Sequence, residues 1–182
     1  MIIQETFIPA GTVTRDKSVP GGVYNLQNYC KFINVTFEDD VYFLVEGEIK
    51  HCDFINVIFK KKVNIGNLKF GKWEDVEFRG RATFYTPSSA KGWDIKNWLF
   101  HSLPKLKFNM KSSRNMEVQY EIIQETWNKI LRENVGFPAN DQSIVLIKEA
   151  FEDLNNGLAD VLVDKIAEYA GRTIDASLLF EK

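Results

Sequence analysis

Only two cysteines and two histidines occur among the 182 residues of this chain, and that scarcity closes several chemical routes. Two cysteines cannot build a framework of several disulfides, and the paired-cysteine spacing of a structural zinc site is missing. The histidines, His51 and His101, have no cysteine, serine or acidic neighbour in a recognised catalytic spacing. Walker loops, dinucleotide-binding glycine fingerprints and calcium loops are absent as well. We therefore assign no catalytic residue, no metal ligand and no cofactor, and expect a role other than catalysis.

Long apolar runs are also missing. No basic stretch leading into an apolar segment opens the chain, so neither a secretion signal nor a transmembrane helix is expected, and the expected location is the cytoplasm. In such a reducing compartment Cys30 and Cys52 are expected to remain buried thiols, although a disulfide between them is geometrically conceivable. Glycine and proline concentrate near the start, at Pro9, Gly11, Pro20, Gly21 and Gly22, around short apolar pieces at Phe7 and Val23. That mixture predicts an irregular first coil or cap.

What the chain does have is a repeat. An eight-residue phrase occurs at Cys30–Phe37, Cys52–Phe59, Gly71–Phe78 and Trp93–Phe100, with equivalent positions 19 to 22 residues apart. Such self-similarity marks a stacked repeat architecture. Within each phrase apolar residues alternate, break at a polar residue and resume, the pattern of strands interrupted by a corner. A second alternating pair follows at Val41 and Phe43, Val63 and Ile65, and Ala82 and Phe84, so each coil is expected to carry about three short strands.

Stacking the coils in register places Phe37, Phe59, Phe78 and Phe100 in one inward column and Val35, Val57, Val76 and Trp98 in another. Asn34, Asn56, Asp75 and Asn97 then share one corner, where small polar side chains tolerate left-handed backbone and can bond rung to rung as a ladder. The expected fold is α+β: a short parallel β-solenoid of about four coils over residues 1–110, then a helical hairpin over 111–182. This pattern resembles right-handed parallel β-helices. The spacing of five from Phe32 to Phe37, Phe54 to Phe59, Trp73 to Phe78 and Ile95 to Phe100 also resembles pentapeptide-repeat proteins.

From Ser112 the period becomes helical. Met116, Tyr120, Ile123, Trp127 and Ile130 form one stripe, halted by Gly136 and Pro138, and a second helix is expected from Asn140 or Asp141 to Gly171. This segment could cap the solenoid, bind a partner, or form a homo-oligomer through residues 112–171. Net charge divides the same way, +3 over residues 1–110 and −5 over 111–182.

Between the strands lie three charged triplets, Glu38-Asp39-Asp40, Lys60-Lys61-Lys62 and Arg79-Gly80-Arg81. Stacked, they put an acidic rung beside two basic ones, and Lys60, Lys61, Lys62, Arg79 and Arg81 are the candidate partner-binding residues. The solenoid is only mildly basic and carries no nucleic-acid-binding motif, so a protein partner is expected rather than nucleic acid. Carbohydrate-active β-helices work with clustered carboxylates; Asp39, Asp40, Asp53, Asp75 and Asp94 could supply some, but the basic rungs make a shared groove hard to build. Resemblance to small pentapeptide-repeat proteins implies an inhibitor of a larger host enzyme, of the kind encoded by phages or mobile elements. Resemblance to β-helical viral fibres implies a structural, oligomeric component instead.

Overall fold

The structure, a computed structural model, describes residues 5–44, 50–66, 68–85, 92–107, 116–136 and Leu179. In chain order the strands are β1 (Glu5–Ile8), β2 (Val13–Val19), β3 (Gly22–Leu26), β4 (Cys30–Phe37), β5 (Val41–Leu44) and β6 (Lys50–Phe59). They continue as β7 (Val63–Ile65), β8 (Leu68–Phe78), β9 (Ala82–Tyr85), β10 (Trp93–Phe100) and β11 (Lys105–Lys107). Helix α1 (Met116–Asn134) follows and runs directly into β12 (Val135–Gly136).

Two six-stranded sheets result, ordered β1-β3-β5-β7-β9-β11 and β12-β10-β8-β6-β4-β2, and every pairing is parallel. The expected β-solenoid is therefore present, with about five turns rather than about four. The extra turn is the segment expected to be an irregular first coil or cap. β2 pairs with β4 in register, setting Thr14, Lys17 and Val19 opposite Phe32, Val35 and Phe37. Because this rung has one side open, its inward positions need no large apolar residues, and the alternation that betrays the other coils is lost.

Each long strand bends where its polar corner residue adopts positive φ: Asp16 (51°), Asn34 (54°), Asn56 (51°), Asp75 (53°) and Asn97 (63°). Asn and Asp visit this region at low cost because their short polar side chains bond locally. A turn thus has two strands, the longer one bent into two straight segments. At the bend a ladder forms: Asn34 Nδ2 donates to Asp16 Oδ1 (2.6 Å), Asn56 Nδ2 to Asn34 Oδ1 (2.9 Å) and Asn97 Nδ2 to Asp75 Oδ1 (2.8 Å). A carboxylate has no proton to give, so Asp75 cannot extend the ladder to Asn56. Asp75→Asn supplies the missing donor and is expected to raise the unfolding free energy by about 0.5–1 kcal/mol, the net worth of one hydrogen bond. A drop in urea-denaturation midpoint would show that the ladder does not stabilise the bend.

In-register stacking puts like side chains one strand spacing apart, about 4.8 Å, so aromatic columns stack offset face to face. Ring centroids are 5.0 Å apart for Phe37 and Phe59, 5.4 Å for Phe59 and Phe78, and 4.5 Å for Phe78 and Phe100. Phe32, Phe54 and Trp73 form a second stack at 5.2 and 4.2 Å. Perpendicular rings from the shorter strands, Phe43 and Phe84, lock the columns together.

Of the stripe expected on α1, Ile123, Trp127 and Ile130 pack inward, joined by Leu131 in the same core, while the side chains of Met116 and Tyr120 lie outside those described. Trp127 lies 5.0 Å from Phe84 and 6.1 and 6.2 Å from Trp93 and Trp98. Trp73 lies 5.4 Å from each of Trp93 and Trp98, so the four tryptophans of the chain gather at one end of the solenoid. There α1 closes the core that another coil would otherwise cover. The buried indole N–H groups of Trp73 and Trp98 have no hydrogen-bond partner among the described residues. Their neighbouring rings are steeply inclined, 77° between Trp73 and Trp98 and 88° between Trp98 and Phe100. The expected second helix lies outside the described residues; among those described there is one α-helix, and Leu179 is buried against the shared core.

Candidate binding surfaces

The three charged triplets follow β4, β6 and β8 and stack at one corner. Gly80 permits the close approach there, since a Cβ on it would lie 2.2 Å from the carbonyl carbon of Lys61. Stacking also pairs opposite charges. Lys60 Nζ lies 2.6 Å from Glu38 Oε2 and Lys61 Nζ 2.7 Å from Asp39 Oδ1, while Asp40 Oδ1 accepts the Lys62 amide at 3.2 Å. The hydrogen bond from Lys60, with another from Ser18, holds the Glu38 carboxyl below its ordinary range, and the bond to Asp39 raises the Lys61 ammonium.

Lys62 Nζ reaches Tyr42 Oη at 3.5 Å and sits 5.4 Å from the ring centroid. Arg79 grips Glu77 through Nε at 2.9 Å and a second guanidinium nitrogen at 3.0 Å. Of the five candidate cations, Arg81 alone is exposed with neither a side-chain hydrogen bond nor an ion pair to a described residue.

The candidate carboxylates are dispersed, and all but Asp94, which lies exposed on β10 one turn beyond Lys72, are engaged. Asp39 and Asp40 belong to the charged corner, Asp75 accepts from Asn97, and Asp53 lies in another outward column. Asp53 accepts from Lys31 Nζ (3.2 Å) and the Lys72 amide (3.0 Å) and meets His51 Nε2 at 3.0 Å. Burial opposes its charge, but these donors outweigh burial and hold its carboxyl below the ordinary value. His101 Nε2 likewise lies 2.8 Å from Glu77 Oε1. Both histidines therefore have acidic partners: one two residues along the same strand face, the other one coil back. The first contact is legible from the period of two; the second requires the register.

Cys30 and Cys52 stand opposite each other in the β4–β6 register, buried and not bonded to each other. Burial pushes the Cys52 thiol up to about 12, which suits an inert core residue. Among the described residues no group of three or more His, Cys, Asp or Glu could hold a metal ion, and no helix is long and apolar enough to cross a membrane.

A second surface has no signature in the sequence pattern because it joins two distant segments. Between the start of β10 and one face of α1 lies a cleft of about 450 Å³. Trp93, Asp94 and Ile95 form one wall and Lys129, Ile130 and Glu133 most of the other. The only hint in sequence is that the last long strand of any solenoid leaves one edge without a following coil.

The chain matches no protein-family model, no curated protein and no solved structure.

Proposed function

We propose that this protein is a non-catalytic binding module that engages an acidic surface on a larger protein, with the charged corner as its contact. The observation that carries this reading is the pairing pattern of the corner. Glu38 and Asp39 neutralise Lys60 and Lys61 and Glu77 neutralises Arg79, which leaves Lys62 and Arg81 as the cations of the array without an ion-pair partner among the described residues. Surface pairs of this kind are weak and exchange readily for charges on a partner, while the stacked backbone beneath keeps the array preorganised. The partner class is a host enzyme held by an inhibitor, which rests on the resemblance to small pentapeptide-repeat proteins.

Arg81→Glu is the decisive variant because it breaks no pair with a described residue. Affinity capture from the native cellular setting identifies the partner, and calorimetry with the purified pair then measures the contact. Arg81→Glu is expected to weaken binding about tenfold, equivalent to about 1.4 kcal/mol, and added salt should weaken the wild-type complex. Undiminished affinity in the variant would remove this corner as the contact.

A further inference from the structure

We propose that the cleft between β10 and α1 is a second binding site, independent of the charged corner, that takes an extended peptide from a partner protein as an additional strand. On one edge β10 pairs with β8 along its whole length, from Trp93 opposite Gly71 to Phe100 opposite Phe78. On the other edge β12 covers only Trp98 and Leu99. The stretch from Trp93 to Lys96 therefore presents a strand edge without a strand partner among the described residues, and Trp93, Asp94 and Ile95 of this stretch form the wall of the cleft.

Such an edge recognises backbone, since its N–H and C=O groups await a partner at fixed spacing. On the earlier turn the Lys31 amide donates back to Thr12 O. By the alternation of the ladder, the equivalent Asp94 amide faces β8, and the amides of Trp93 and Ile95 face the cleft. β12 already joins the same edge in parallel, so an added strand continues an existing pairing rather than starting one.

The outward columns specify which peptide fits. Lys31, Asp53, Lys72 and Asp94 succeed one another turn by turn with alternating sign. Beside them Glu74 faces Lys96, whose Nζ lies 3.0 Å from Glu74 Oε1. The next rung after Asp94 calls for a basic residue and the next after Lys96 for an acidic one, with an apolar residue between them above Ile95. The occupant is thus an extended peptide of pattern basic, apolar, acidic, running parallel to β10. The chain's own Lys72-Trp73-Glu74 has this pattern and pairs with the opposite edge of the same residues.

The test is amide NMR of the full chain titrated with acetyl-Gly-Lys-Leu-Glu-Gly-amide and, separately, with the charge-swapped acetyl-Gly-Glu-Leu-Lys-Gly-amide. Expected are saturable shifts at the Trp93 and Ile95 amides, at least fivefold weaker binding of the swapped peptide, and loss of that preference in Asp94→Lys. Equal responses to the two peptides, or none at millimolar concentration, would overturn the proposal. So would slow hydrogen exchange of the Trp93 and Ile95 amides in the free protein, which would mean that the edge is already paired. Shifts of the same amides on simple dilution would overturn it too, by assigning the edge to a second copy of the chain. The outcome is independent of Arg81, whose substitution leaves this cleft untouched.

Discussion

Phe59→Ala is expected to lower the unfolding free energy by about 3–5 kcal/mol, the range for emptying a fully packed aromatic site. Phe59 is the middle of its column, stacked on Phe37 below and Phe78 above, and its ring also meets Phe43 at 6.0 Å and Phe54 at 6.3 Å. Truncation removes both stacking partners at once and opens a hole that the backbone cannot close, since the strands are held at a fixed spacing by their ladder. Guanidinium denaturation with an unchanged slope measures the loss. A cost below about 1 kcal/mol would mean that the site can relax, in contrast to the rigidity expected of a stacked core.

Gly71→Ala is expected to cost about as much or more, for a different reason. Gly71 has φ of +151°, a conformation that side chains rarely adopt, and a Cβ there would lie 1.9 Å from the carbonyl oxygen of Cys52. The obstacle is backbone in the adjacent turn, so no side-chain rotation relieves it; β6 and β8 must separate locally. Gly22 provides the control, with φ of +146° but no neighbouring atom within 4 Å of the point where a Cβ would sit. Gly22→Ala should cost only the conformational part, about 1–3 kcal/mol, and Gly71→Ala about 4 kcal/mol or more. Denaturation of the two variants side by side measures the difference. Equal costs would show that the close approach to Cys52 contributes nothing.

These two sites differ in how far the sequence announces them. Phe59 is legible as a core residue because period-two alternation and a repeat of 19 to 22 residues together assign it an inward position. Gly71 occupies the position held by Cys30, Cys52 and Trp93 in the other phrases, and only the structure shows the Cys52 carbonyl against it. The N-terminal turn is hidden because Thr14 and Lys17 interrupt the apolar pattern on a rung with one open side. The contact of His101 with Glu77 is hidden because it spans 24 residues and depends on register.

The repeat, the bend residues, the aromatic columns and the stripe of α1 are all written in local periodicity and in the backbone preferences of single residues, so the linear chain is enough to specify them. Three features emerge only once the coils are stacked: which charges neutralise one another at the corner, how α1 gathers the four tryptophans into one cluster, and that half of β10 has no strand partner on one edge among the described residues. Those features depend on distances between segments far apart in the chain, and no periodicity encodes such a distance until a register has been chosen.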